Sequence, residues 1–426
     1  MAADLVEHFF RHTYGQLVAS LTRRVGVQHL EAIEDAAQSA LQIALERWKV
    51  GGPPDNPTAW LFRVAQHELG QALRTRAGRD RLLAHHGEVL APAAPEDPDA
   101  HAHLAAEVHD DLLRMLFVCC DEALPVGAQL VLALKTLCGF SVGEIAVRLF
   151  LTEATVYKRL SRARARLRQA AQEAALTEPS PEALVVRRPA VHHVLYLLFT
   201  EGYLASHATH AIRQELCDEA LRLARLLATP WEPDAAAAPE TAALIALMHL
   251  HRARLPARQD ATGGLLLLEE QDRALWDPAQ LAEGLAWLAR SATGDTFSRY
   301  HAEAAIAAEH GLAPSLADTN WPRVVELYTM LDAVAPSPVH RLNRAVAVAA
   351  WRGPEVALAE LEAMQPPTWL AGSYQWSAVL ADLHARAGRA SSAARYRELA
   401  LASAPTEAIR ALLARRLSAA PHPSLD

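Results

Sequence analysis

Eight basic side chains crowd into residues 131–170: Lys135, Arg148, Lys158, Arg159, Arg162, Arg164, Arg166 and Arg168. Only Glu144 and Glu153 oppose them, in a chain whose formal net charge is −8. The chemistry open to such a local reversal is phosphate binding, because Lys and Arg displace the counterions condensed on a nucleic acid. Other reactive residues form no catalytic pattern. Glu201, His207, His210, Cys217 and Asp218 are close in sequence but fit no ligand or triad spacing, and the chain has no H-E-x-x-H and no Gly-rich phosphate loop. His85, His86, His101, His103 and His109 are too irregularly spaced for a metal site. The segment EEQDRALWD sets Asp272, Arg273 and Asp277 beside Trp276, and reads first as capping and salt bridging between helices. No catalytic residue, no metal ligand and no cofactor is expected, and the chain does not read as an enzyme.

The basic residues need elements to present them. Gly139 is placed to end a helix in the left-handed conformation, and Ser141 with Glu144 forms a capping box that starts the next one. Ile145, Ala146 and Leu149 give that helix an apolar face, and Phe150–Leu151 interrupt it. Thr152 can cap a second helix in which Val156, Leu160, Ala163 and Leu167 make one buried stripe. Ala154, Thr155, Lys158, Ser161 and Arg162 fall on the opposite side, flanked by Arg159, Arg164, Arg166 and Arg168. Two short helices, a tight turn and a basic second helix predict a helix-turn-helix suited to the major groove.

The whole chain, 426 residues and 51% hydrophobic, is Ala- and Leu-rich without period-two alternation, so an all-α protein of two or three domains is expected. Four cysteines without C-x-x-C spacing, no signal peptide and no run of membrane-span length suit a cytoplasmic protein. Stripes through Tyr14, Leu17 and Leu21, through Ile33, Ala37, Ala40 and Ala44, and through Leu61, Ala65 and Leu69 predict three helices over 1–80. Asn56-Pro57 starts the third. Residues 81–111 read as a flexible acidic linker, with Glu96, Asp97, Asp99, Glu107, Asp110 and Asp111 and no Lys or Arg from 84 on. Two helices split at Leu124-Pro125 then support the helix-turn-helix of 112–172. A helical extension fills 185–426. Gly353 and Gly388, with Ala381, Ala393, Ala400 and Pro405, match tetratricopeptide spacing there and predict a TPR-like solenoid or bundle. Trp321, Trp351, Trp369 and Trp376 are expected in its core.

In order, YGQLVASLTRRVG, EDAAQSALQIALERW, NPTAWLFRVAQHELGQALR, LLRMLFVCCDEALP and the helix-turn-helix resemble the extracytoplasmic-function sigma factors of bacterial RNA polymerase. VLYLLFTEGYLASHATH, EEQDRALWD and PSPVHRLNRAVAVAAWRGP resemble the subgroup with a C-terminal tetratricopeptide-like extension. The resemblance implies a specificity subunit that directs promoter-specific initiation. Residues 1–80 would be sigma region 2 and 112–172 sigma region 4. Asp35, Gln38 and Leu41 would grip the clamp helices of the polymerase β′ subunit, and region 4 would reach the β flap. Arg63, Gln66, His67 and Arg74 would read the downstream promoter element. Thr155, Lys158, Arg159, Ser161 and Arg162 would read the upstream one. The extension would set activity and take a protein or small-molecule partner of its own.

One stretch departs from the family. Its melting helix usually reads close to A-R-N-R-A-I-D-x-L-R, whereas residues 65–74 read AQHELGQALR, with Glu68 for an Arg and a helix-loosening Gly70. Residues 1–80 also balance nine basic against nine acidic side chains. Downstream contact is thus less firmly founded than upstream contact. The alternative is a helix-turn-helix regulator with a TPR partner domain that never joins polymerase; such a protein needs neither the helix of Asp35 and Gln38 nor the acidic linker.

Overall fold

The computed structural model describes residues 2–77, 111–173, 181–205, 211–229 and 238–418. Among them the chain is helical throughout; the extended pairing is a single isolated bridge between Gln259 and Leu265. The chain falls into two compact units, Met1–Leu198 and Phe199–Asp426.

The first unit opens with α1 (Ala2–Val25), a short 3₁₀ turn at Val27–His29, α2 (Leu30–Gly51) and α3 (Pro57–Ala77). These helices pack on one another through the expected stripes, with Leu17, Leu21, Ile33, Ala37, Ala40, Leu61, Ala65 and Leu69 buried. The start of α3 is chemical: Asn56 Oδ1 accepts from the Ala59 amide at 3.0 Å, and Pro57 supplies a preset φ without a donor to satisfy. Four more helices follow: α4 over 111–119, α5 (Val126–Thr136), α6 (Val142–Arg148) and α7 (Glu153–Glu173). Pro125 divides α4 from α5 where Leu124-Pro125 predicts the break. The last residue of the acidic segment, Asp111, is buried and accepts from Arg23 Nη1 at 2.9 Å. The rest of that segment lies outside the described residues.

Helix α8 (Pro181–Tyr203) begins in the first unit, where Arg187 pairs with Asp121 at 2.5 Å and Glu122 at 3.2 Å. The second unit is a run of short helices, mostly 10–15 residues, in which consecutive members pack against each other. Polar residues set just before a proline or the first turn start many of them: Asp277, Asn320, Ser337, Ser373 and Thr406 each accept from a backbone amide of the helix they head. Gly353 (φ 91°) and Gly388 (φ 71°) turn the chain between paired helices, and small Ala345, Ala349, Ala357, Ala381 and Ala400 are buried where those helices meet. This agrees with a TPR-like arrangement.

The tryptophan expectation holds only in part. Trp376 is buried and Trp321 packs on the core of 302–383, but Trp351 and Trp369 are each 41% exposed. On the helix of Trp351 the buried stripe runs through Leu342, Ala345, Val348 and Ala349, so Trp351 falls beside it, with the Arg352 guanidinium 4.0 Å over its ring.

Candidate nucleic-acid interface

The helix-turn-helix forms by local chemistry. Ser141 Oγ accepts from Glu144 N at 3.1 Å and Glu144 Oε2 accepts from Ser141 N at 2.7 Å, closing the capping box. At the other end of α6, Phe150 takes a left-handed φ of 53° and Leu151 N reaches back to Ala146 O at 2.8 Å. That is the wrap-around closure usually given to glycine. Thr152 Oγ1 then accepts from the Thr155 amide at 3.3 Å and starts α7.

On α7 the stripe Val156, Leu160, Ala163 and Leu167 is buried. The helix packs on α5, on α6 and on the Val27–His29 turn. Its opposite face leaves Lys158, Ser161 and Arg162 exposed. Thr155 is half-buried, its hydroxyl 2.8 Å from that of Thr152, so it serves the helix start. Arg159 is half-buried and lies over Gly127 at the head of α5, where any β-carbon would collide with the guanidinium. The three outward groups nevertheless share a face one turn wide, two of them cationic, which suits a groove edge and its phosphates.

The other candidate residues are on other helices. On α2, Asp35 and Gln38 are exposed and Leu41 is half-buried; Gln38 also hydrogen-bonds the Tyr14 phenol. On α3, Arg63, His67 and Arg74 are exposed along one face and Gln66 is half-buried beside them. His67 is 3.2 Å from Gln71 and 3.7 Å from Glu68, so the residues that depart from the family pattern sit within this face.

Sequence reasoning missed how the first three helices meet the helix-turn-helix. Glu34, on the inner side of α2, is 3% exposed. It accepts from Thr136 Oγ1 at 2.9 Å and pairs with Arg164 Nη2 at 2.5 Å, and one turn earlier Glu31 pairs with Arg168 at 3.3 Å. Burial pushes the Glu34 carboxyl above its ordinary value, while Arg164 and Thr136 pull it back. The Tyr14 phenol is raised by the same burial and by Glu34 beside it. Gly15 on α1 meets the backbone of Leu137 so closely that a β-carbon there would overlap the Leu137 carbonyl oxygen. The available signal was an acid at position 34 between apolar Ile33 and Ala37, and a glycine inside the stripe of α1.

Among the described residues no group of His, Cys, Asp and Glu could hold a metal ion. Asp218 pairs with Arg252 at 3.0 Å, and Cys217 is buried against the Phe199 carbonyl; His207 and His210 lie outside the described residues. None of the four cysteines is in a disulfide and all are buried; burial raises the thiols of Cys119, Cys120 and Cys217, which disfavours the reactive thiolate. No described helix is long and apolar enough to cross a membrane.

Residues 114–167, from α4 through the basic helix, match the family model of sigma-70 region 4. Residues 187–292 match a family of unknown function, DUF6596. The chain belongs to the family of an uncharacterized protein from Rhizobium meliloti (strain 1021), to which it is 37% identical over 386 residues, 89% of this chain and 88% of that one. No solved structure matches it.

Proposed function

We propose that this chain is an RNA polymerase sigma factor of the extracytoplasmic-function type, bringing polymerase to a defined set of promoters. The observation that carries the reading is the coincidence, over 114–167, of the region 4 match with a helix-turn-helix whose free face holds Lys158, Ser161 and Arg162. In this reading α7 enters the major groove of the upstream element, with Thr155 and Arg159 fixing its start and its seat on α5. The α3 face of Arg63, Gln66, His67 and Arg74 approaches the downstream element. Asp35, Gln38 and Leu41 on α2 bind the β′ clamp helices. The helical extension, taken as TPR-like, sets activity.

Reconstitution tests it. Wild-type chain should co-purify with core polymerase and direct run-off transcripts from specific genomic promoters. Asp35→Arg should lose co-purification while circular dichroism stays unchanged. A wild-type chain that binds DNA and never binds core polymerase would instead establish the stand-alone regulator.

A further inference from the structure

The acids of EEQDRALWD are occupied by structure. Asp272 accepts from the Ala274 amide at 2.9 Å, Asp277 accepts from Ala279 and Gln280 at 2.9 and 3.1 Å, Glu270 pairs with Arg415 at 3.1 Å and Glu269 with Arg416 at 2.9 Å. Arg273 and Trp276 are engaged differently. The guanidinium carbon of Arg273 lies 4.6 Å from the Trp276 ring centre, and that of Arg254 lies 5.4 Å from it, so two cations share one indole. The turn that carries Arg254 also carries Arg258, which stacks 3.7 Å over the Tyr203 ring and donates to the Tyr203 carbonyl. Arg273 Nη1 donates to the carbonyls of His310 and Ala313, both at 2.7 Å, and Arg254 Nε donates to Gln271 at 3.3 Å.

Three guanidiniums gathered in one place repel each other, and protein interiors normally thread carboxylates between them. Among the described residues none of the three has a carboxylate within ion-pair distance; the acid that bears on Arg273 is Asp318, on the surface. The imidazoles nearby stay neutral and add no further positive charge. Burial, with the arginines beside them, pushes His251 down to about 3 and His310 down to about 4. The cluster also holds buried polar atoms with no protein partner: Trp276 Nε1, Tyr203 Oη, Arg273 Nη2, His251 Nδ1 and His310 Nδ1. Trp276 is itself only 8% exposed and Arg258 9%. Buried donors are almost always paired, and several in one place beside unpaired cations have a common explanation in a bound acceptor.

We propose that this cluster in the second unit binds a small oxyanion ligand, a phosphate ester or a polycarboxylate, through Arg254, Arg258, Arg273 and the indole N–H of Trp276. A metal cation is excluded by the charge. A macromolecular surface is excluded by the burial of Trp276 and Arg258. The site stands whether or not the chain joins polymerase.

Calorimetric titration of the full-length protein with inorganic phosphate, pyrophosphate and citrate, each against sodium chloride of equal ionic strength, tests it. At least one probe should bind saturably, and whether phosphate or citrate does so separates the two ligand chemistries. Arg254→Gln should weaken that binding at least tenfold. Trp276→Phe keeps an aromatic ring beneath the guanidiniums and removes the N–H; it should weaken binding severalfold and provides the reading if Arg254→Gln does not fold. Arg323→Gln, at a surface pair with Glu326, should change nothing. Absence of saturable binding by all three probes overturns the proposal, as does binding undiminished by Arg254→Gln or, where that chain does not fold, by Trp276→Phe.

Discussion

At the scale of single residues, the arginines of α7 divide into those that face outward and those held by α2, and the two groups should behave oppositely on mutation. Lys158 and Arg162 are exposed. If Arg162 reads a base edge, Arg162→Ala should weaken promoter binding by about 1–3 kcal/mol and relax specificity at one position. If it touches phosphate alone, binding to all sequences should fall alike and the salt slope should flatten; filter binding at several salt concentrations distinguishes them. Unchanged binding by both Lys158→Ala and Arg162→Ala would remove α7 as the reader. Arg164 should act through stability. Arg164→Ala strands Glu34 in the interior, a loss of roughly 3 kcal/mol at neutral pH. The sign with pH follows from the raised Glu34 pKa. A carboxyl raised in the folded state contributes stability that is fully present below its ordinary value near 4.5 and is lost as pH rises through the folded value. The damage of Arg164→Ala should therefore shrink as pH falls from 7 toward 5, and urea unfolding at the two pH values measures it. Glu34→Gln added to Arg164→Ala should restore much of the loss at pH 7.

At the scale of elements, the decisive packing is α1 and α2 against the helix-turn-helix. Gly15 permits the approach of α1 to Leu137, and Glu34, Thr136 and Arg164 form a small buried polar network across the same seam. Gly15→Ala would stabilise an isolated helix by about 1 kcal/mol. Here it should lower the melting temperature, because the added methyl meets a backbone carbonyl that cannot move like a flexible side chain. A higher melting temperature for Gly15→Ala would show that the seam is not held in solution. The seam has a functional corollary: with Glu31 and Glu34 on Arg168 and Arg164, part of the basic flank of α7 is neutralised by α2, the helix proposed to bind polymerase.

At the scale of the molecule, the first compact unit ends at Leu198 rather than just after α7. Arg187 of α8 neutralises Asp121 and Glu122 beside α4. A chain cut near Leu176 loses those pairs, while one ending at Leu198 keeps them. The chain ending at Leu198 should be folded and the more stable of the two by thermal melting. If the extension sets activity, this folded chain should lose transcription from a promoter that the full-length protein serves. A large gain would mean that the extension masks the DNA-binding half, and equal activity at equal protein level would remove it from the mechanism.

What the sequence by itself determined is whatever depends on neighbours within a few residues. The capping box of Ser141 and Glu144, the starts at Asn56-Pro57 and Thr152, the stripes of α1, α2, α3 and α7, and the turns at Gly139, Gly353 and Gly388 are local, because helix caps and 3.6-residue periodicity are local physics. The outward set Lys158, Ser161 and Arg162 followed from the same periodicity. Only the tertiary structure decided which of the flanking arginines are already engaged: Arg164 and Glu34 are 130 residues apart in the chain, and an acid at position 34 looks the same in sequence whether it meets water or a guanidinium. The same holds for EEQDRALWD. Its acids could be read as caps from their place before Ala274 and Pro278. That its Arg273 and Trp276 join Arg254, Arg258 and Tyr203, contributed by two other stretches of chain, depends on long-range packing, which no local pattern encodes.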